Sequence, residues 1–392
     1  MTPPIAIIGG GPSGLTFARL LKCNGIDYIV YERNASATAT TEQLGGSLDL
    51  HGPTGQLALK SAGLFDEFQK YARWDATTTL VADKYGKTHM KFGEGRDAPE
   101  IDRVQLRRLL LESIPEDKVC WDHAVKSTHR DESGNIVITF LNGATASGFK
   151  LVVGADGAWS RVRHLLTPAK PSYSGKQYFE ARLSANNPFY PSLSAKVGHG
   201  ILMAMGDNKQ ISAQQMFDGS YRIYLGFSAP EDFARSGPAS ASGDAAREFF
   251  LSSPDFYADW AQDLKDIVAN CEGAFRPWPL YYLPAEAMGW QRVAGVTLLG
   301  DAAHVSTPFV GEGVNCAMYD ALVLATKIKE CGMGALEQAV VEYERDMFAR
   351  AKDLIKRCHA SAKLLFAEDA PKELVRALGG DGERLVYAEK RA

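Results

Sequence analysis

No apolar run in this chain of 392 residues reaches the roughly 20 needed to cross a bilayer, which excludes a membrane-spanning helix. The first apolar segment opens within a few residues of Met1 and leaves no room for the charged and apolar regions of a secretory leader. A soluble, cytoplasmic protein is expected. Cysteine is sparse as well: Cys23, Cys120, Cys271, Cys316, Cys331 and Cys358 include no CxxC pair, which fits neither a zinc site nor a disulfide scaffold. They are expected to be reduced and mostly buried. Charge of either sign is also unremarked, with a formal net charge of -4 and no long basic run, so no nucleic-acid partner is expected. Internal repeats and low-complexity tails are missing. A hydrophobic content of 45% over this length supports a large core and about two domains; a monomer is expected.

Glycine, by contrast, is placed with purpose. The apolar, β-branched run Pro4-Ile5-Ala6-Ile7-Ile8 leads into Gly9-Gly10-Gly11-Pro12-Ser13-Gly14, and helical apolar spacing follows from Leu15 to Cys23. At such a strand-to-helix turn Gly9 makes the bend, Gly11 admits a diphosphate close to the backbone, and Gly14 permits tight helix packing. The phosphates would meet free N–H groups at the positive end of the helix. A second run, Tyr28-Ile29-Val30-Tyr31, ends in Glu32, about 20 residues on, where a carboxylate accepts ribose hydroxyl hydrogens and repels a 2′-phosphate. The alternatives are a purely steric glycine turn and a solvated glutamate.

Asn34 to Gln43 lacks periodicity and reads as a surface loop. Gln56 to Ala62 reads as a helix closed by Gly63. Alternating runs from Thr77 to Phe92 around Lys84-Tyr85-Gly86-Lys87 predict a hairpin, and Arg103 to Ser113 a helix. Lys118–Trp121, Ile136–Phe140 and Leu151–Val153 read as strands, as does Tyr221–Phe227 within a β-rich stretch from about Gly175 to Pro230. Gly237 to Gly243 is a small-residue linker, Asp244 to Ala269 is helical in two pieces, and Val296–Leu299 is a strand. Leu336 to Phe366 is a long amphipathic helix: an intramolecular brace, a membrane-surface helix or a partner helix. The organisation is a nucleotide domain interrupted by a mainly antiparallel sheet.

Two further turns bear on chemistry. Gly154-Ala155-Asp156-Gly157-Ala158-Trp159-Ser160-Arg161-Val162-Arg163 follows a strand, and a helix-capping turn aspartate is its simplest reading. Gly300-Asp301-Ala302-Ala303-His304 follows another, with Pro308-Phe309-Val310-Gly311-Glu312-Gly313-Val314-Asn315 behind it. In this order, with the first glycine turn and Glu32-Arg33, they resemble the single-component flavin-dependent aromatic hydroxylases over nearly the whole chain. Gly45 to His51, Ile101-Asp102-Arg103 and the region from Gly300 to Asn315 look most like the tetracycline-inactivating members.

The resemblance implies an α/β fold like that of p-hydroxybenzoate hydroxylase. Residues 1–70, 95–172 and 282–333 would form a Rossmann-type FAD domain, 71–94 and 173–281 a sheet domain that binds substrate, and 334–392 a C-terminal helical brace. It implies FAD held by Gly9, Gly11, Ser13, Gly14, Glu32, Arg33, Asp49, Arg103, Asp156, Asp301 and Pro308, with Gly311, Glu312, Gly313, Val314 and Asn315 against the isoalloxazine at a helix N-terminus. A helix N-terminus there would stabilise the negative charge of the reduced ring. NADPH, or else NADH, is the expected reductant and O2 the co-substrate. The implied activity hydroxylates or epoxidises an aromatic or polycyclic molecule, a secondary metabolite or antibiotic, through a C4a-hydroperoxyflavin that carries the difficult chemistry. Acid–base candidates are His304, His51 and Tyr224, none of which is required. Expected substrate neighbours are Glu180, Met216, Tyr224, Pro308, Phe309 and Gly311, in a pocket between the two domains, and no metal is expected. Aligned through Leu202-Met203-Ala204, a substrate-contacting glutamine, arginine, phenylalanine and histidine of the tetracycline enzymes become Glu180, Gly200, Ser212 and Tyr224, which puts tetracycline itself in doubt. The arginine expected to meet nicotinamide is missing, with Glu42 near its place. A flavin dehydrogenase or reductase without oxygen insertion and a non-enzymatic ligand-binding protein are the alternatives.

Overall fold

The computed structural model describes residues 2–38, 45–235 and 243–377. Glu42, the end of the loop up to Gln43 and positions 237–242 of the linker lie outside the described residues. The chain divides into two compact units: residues up to Ala72 with Ile101–Ser172 and Tyr281–Cys358, and Arg73–Glu100 with Tyr173–Leu280 and the described residues from His359 on.

The first unit is built on five strands in the order Val296–Leu298, Leu151–Gly154, Ile5–Ile8, Tyr28–Tyr31, Val119–Cys120, all parallel. Strands buried on both faces must be apolar throughout, and Ile5, Ala6, Ile7, Leu151, Val152, Val153, Val296 and Leu298 are all fully buried. The helix Pro12–Cys23 begins with proline, whose missing N–H costs nothing in the first turn, and buries Leu15, Phe17, Ala18 and Leu21. The helix Gly313–Cys331 lies against it, and its Met318, Ala321 and Leu324 belong to the same core. From the 30-residue helix Leu336–Leu365, the stripe Ala339, Tyr343, Met347 and Ala351 is buried there too, and Tyr343 donates to the Leu298 carbonyl at 2.7 Å. A separate antiparallel sheet joins Val125–Arg130, Ile136–Phe140 and Thr145–Ala146.

The second unit is a seven-stranded sheet in the order Glu272–Tyr282, Ser172–Leu183, Tyr221–Ser228, Lys209–Gln215, Ile201–Gly206, Thr79–Asp83, Thr88–Phe92. The expected hairpin is present as Thr79–Asp83 against Thr88–Phe92, but Thr79–Asp83 runs parallel to Ile201–Gly206 within the otherwise antiparallel pairs described. One face carries Phe179, Ala181, Leu183, Ile223, Leu225 and Phe227 and packs on the helices Tyr190–Val197, Gly243–Ser252 and Gln262–Ala269. The alternation of strand side chains leaves Glu180, Arg182, Arg222 and Tyr224 on the opposite face. The two helical pieces either side of Pro254 are as expected, whereas the helix expected from Gln56 begins at Leu57, after a wide turn over Gly52–Gln56 that holds Pro53 and two glycines. Among the described residues no helix is long and apolar enough to cross a membrane, and no cluster of metal-ligating side chains occurs.

Candidate cofactor site

The carboxyl ends of three parallel strands, at Ile8, Gly154 and Leu298, bring the three turns together, where ligands of open α/β sheets bind. Gly9 has φ +111°, and a Cβ on it would overlap the Ala155 carbonyl, so it lies against the Asp156 turn. A Cβ on Gly14 would overlap the Gly9 carbonyl oxygen. At Gly11 the result is different: a Cβ would meet nothing within 4 Å. Protein atoms thus account for two of the three glycines, and the third faces open space at the helix start, where no side chain caps the first-turn N–H groups.

Gly300, with φ +56°, sits where its Cβ would be 2.8 Å from Ala317 Cβ and 3.2 Å from Ser13 Oγ. The turn near residue 300 therefore backs directly onto the glycine turn near the start of the chain. Asp301 follows at the surface of the joint, exposed. Arg163, 2% exposed, ties this turn to the Asp156 segment by donating from Nε to the Ala302 carbonyl at 2.7 Å and from Nη2 to the Asp301 carbonyl at 3.0 Å. Asp156 accepts from the Arg161 N–H at 2.7 Å through one oxygen, while its Oδ1 is buried without a partner. Desolvation dominates there and raises the Asp156 pKa. Replacing Arg163 with methionine should cost about 1.5–3 kcal/mol in denaturant titration, because the buried Ala302 carbonyl and the part-buried Asp301 carbonyl lose a charge-assisted partner.

His304 is not poised for proton transfer in this structure. It is 2% exposed, with Nε2 2.6 Å from Asp320 Oδ2, and Asp320 also accepts from the Gly300 N–H at 3.0 Å and from Arg350 Nη1 at 2.8 Å. Burial opposes the charged ring, but the adjacent Asp320 carboxylate outweighs it and raises the His304 pKa. Asp320 is correspondingly lowered, its desolvation overcome by His304 and Arg350. This buried cluster anchors the Gly300 turn to the helix Gly313–Cys331.

A second joint lies around Asn315. Its Oδ1 accepts from the His51 N–H and its Nδ2 donates to the Asp49 carbonyl, both at 2.8 Å, while a Cβ on Gly311 would stand 3.5 Å from Asp49 Oδ1. Asp49 pairs with His51 Nε2 at 2.9 Å. Arg103 is exposed with its stem against Gly45, and its N–H donates to the Gly46 carbonyl at 3.2 Å. Glu312, at the start of the helix from Gly313, is gripped by Arg357 through both oxygens at 2.5 and 2.6 Å, and the Cys358 thiol donates to the Thr307 carbonyl at 3.1 Å. Pro308 is exposed, Phe309 buried, and Gly313 faces open space.

At the outer end Glu32 is buried, accepting from the Gly10 N–H at 2.5 Å and the Asn34 N–H at 3.0 Å. Arg33 is exposed beside it. Arg107, absent from the sequence expectations, stands over Trp121 at 5.6 Å, interacts electrostatically with Glu32, and has a buried Nη2 without a partner. Glu180, Met216 and Tyr224 belong to the second unit. Met216 is buried in the turn before Tyr221, and Glu180 and Tyr224 are register partners on adjacent strands. Arg163, Asp320, Arg350 and Arg357 were also missed. Only Arg163, close behind Asp156-Gly157, carried a local signal.

A family model described as an FAD binding domain matches residues 2–194 and 277–358, well over half of the chain. Monooxygenase asqM of Emericella nidulans is 30% identical over 93% of this chain and 96% of that protein. The chain belongs to this family of FAD-dependent monooxygenases. Among solved structures, HpxO of Klebsiella pneumoniae complexed with FAD and uric acid is similar with a TM-score of 0.78 at 22% identity, covering 97% of this chain and 94% of that one. The tetracycline destructase Tet(51) is similar with a TM-score of 0.73 at 19% identity, covering 98% and 97%. Both bear out the fold expected from the sequence. The donor set of this flavin monooxygenase suits the cofactor: an uncapped helix start beside the open Gly11, a second uncapped helix start at the open Gly313, and an exposed Asp301 between them match a dianionic diphosphate, an electron-accepting ring and a polyol.

Proposed function

We propose that this enzyme uses NADPH, or NADH, and O2 to hydroxylate or epoxidise an electron-rich aromatic or polycyclic small molecule, a secondary metabolite or antibiotic. The observation that carries this reading is the contact of Gly300 with Ser13, which brings the diphosphate-type turn and the Asp301 turn to one place on the sheet. When bound, FAD would supply the electron transfer and oxygen activation that side chains lack. In this reading Gly9, Gly11, Ser13 and Gly14 receive the diphosphate, Glu32 and Arg33 the adenosine, Asp49, Arg103 and Asp156 the middle of the cofactor, and Asp301 the ribityl chain. Pro308 and the backbone from Gly311 to Asn315 hold the ring, the N–H groups of the latter stretch favouring negative charge on it. Glu180, Tyr224, Met216 and Phe309 are proposed substrate neighbours. The uric acid bound by HpxO, an electron-rich heterocycle, supports the substrate class.

The test is a screen of electron-rich polycyclic compounds, a tetracycline included, for stimulated NADPH oxidation by the FAD-loaded protein. Oxygen uptake and mass spectrometry for a gain of one oxygen atom accompany it. Stimulated consumption with an oxygen-bearing product is expected. Substrate-dependent NADPH oxidation with no O2 uptake and no inserted oxygen would make the protein a dehydrogenase or reductase.

A further inference from the structure

Two consecutive residues of the helix Leu336–Leu365 hold the segment before the helix Gly313–Cys331 at both of its ends. The Cys358 thiol donates to the Thr307 carbonyl at 3.1 Å, and Arg357 grips the Glu312 carboxylate with both Nη groups, at 2.5 and 2.6 Å. Between these attachments lie Pro308, Phe309, Val310 and Gly311.

Glu312 stands at the position from which a side-chain oxygen can accept from the first-turn N–H groups, and the helix dipole favours an anion there. It makes no such bond: the start of the helix has no side-chain cap. Its two oxygens are instead committed to Arg357, 45 residues on, in the two-pronged geometry that a guanidinium and a carboxylate share. Arg357 also donates from Nε to Asp353 at 2.7 Å, one turn earlier on its own helix. The Asp353 side chain is 65% exposed and the Glu312 side chain 15%, so water screens the first carboxylate far better than the second. The charge that Arg357 most needs to neutralise is therefore that of Glu312.

A carboxylate seated on the N–H groups at Gly313 would occupy the donors that a reduced flavin ring needs, and would repel the negative charge on that ring. Arg357 prevents both, by turning Glu312 away from the helix start and by neutralising it. We infer that Arg357 is a positioning residue that tunes the cofactor: by clamping Glu312 it reserves the helix start for the reduced ring and raises the reduction potential of the bound flavin. This rests on the reading that the ring of FAD lies against Gly311 to Asn315, and it adds how the chain sets the readiness of that ring to take electrons. Arg357 acts through Glu312 and touches neither substrate nor reacting atoms.

The experiment is the two-electron midpoint potential of FAD bound to the full-length protein, measured by anaerobic reduction against a reference dye. Arg357→Met should weaken the binding of reduced relative to oxidised FAD about tenfold, the scale of one partly buried charge at a helix end. In a two-electron couple that is a shift of about 30 mV to more negative potential. Arg357→Lys should lose less, because it keeps the charge without the fork. Glu312→Gln should shift the potential the opposite way, since it removes the anion and leaves the guanidinium. Combined with Arg357→Met, Glu312→Gln should bring the potential back near that of the parent, because no carboxylate is left to neutralise. A role confined to holding the loop would leave the double variant as impaired as Arg357→Met. An unchanged or raised potential in Arg357→Met overturns the inference, as does a double variant without recovery. Melting temperature and bound FAD accompany each variant; should Arg357→Met fail to fold, Glu312→Gln decides, and a potential at or below the parent's overturns the inference. Protein that takes up no FAD removes the reading of the site as well, whereas bound FAD whose potential ignores both residues removes this inference alone.

Discussion

Replacing Gly11 with valine should abolish FAD binding and lower the apoprotein's stability by no more than about 1 kcal/mol. The two halves of this expectation come from one observation. Gly11 has ordinary extended backbone geometry at φ −85° and ψ −178°, and a Cβ there meets nothing within 4 Å, so the folded chain tolerates the side chain. Only a ligand approaching the helix start would collide with it. FAD affinity, read by flavin fluorescence titration, should fall at least about 100-fold, roughly 2.8 kcal/mol. Gly14 is the matched control, since alanine there would overlap the Gly9 carbonyl oxygen and should lower stability by about 1–3 kcal/mol even without FAD. If Gly11→Val binds FAD normally, the open space beside Gly11 is not the diphosphate cradle.

Asp320→Ala should be the most destabilising single change near the site, by about 3–5 kcal/mol or roughly 5 °C in melting temperature. It strands His304 and the Gly300 N–H in a buried place and takes from Arg350 one of two carboxylate partners, Asp346 being the other. The loss should depend on pH in a defined way. His304 has its pKa raised above its ordinary 6.5, so its contribution is complete below 6.5 and is lost as pH climbs through the raised value. Asp320 is lowered below 3.8, so its contribution is complete above 3.8 and is lost as pH falls through the lowered value. The gap between parent and variant should therefore be widest between these limits and narrow toward alkaline pH, where Arg350 alone remains paired. His304→Gln should remove the alkaline narrowing. A gap that widens above neutrality would contradict the assignment of a charged His304–Asp320 pair.

How much of this was legible in the chain follows from how far apart the interacting residues are. Gly9, Gly11, Gly14 and Glu32 belong to a unit of some 30 residues whose strand, turn and helix each leave a local pattern, and the strands Ile5–Ile8 and Tyr28–Tyr31 lie where the apolar runs do. The long helix ends at Leu365, one residue from its expected end, because few breakers interrupt its period. What holds the turns together left no such trace. Arg163 reaches carbonyls 138 and 139 residues away, and Arg357 reaches Glu312 across 45. An arginine's partner is a tertiary fact that spacing does not encode. His304 was one acid–base candidate not required by the sequence, and the partner that makes it an anchor, Asp320, lies on another element. The parallel pairing of Thr79–Asp83 with Ile201–Gly206 was equally hidden, since alternation along a strand has no direction.

In the function proposed above, the turns at Gly9–Gly14 and Gly300–Asp301 grip one FAD. A crystal structure of the protein grown with FAD tests it most directly. One FAD per chain is expected, with its diphosphate at the Gly11 N–H and the start of the first helix and its ribityl hydroxyls on the Asp301 carboxylate. Crystals without flavin, or an FAD whose diphosphate and ribityl chain lie away from these two turns, would contradict it.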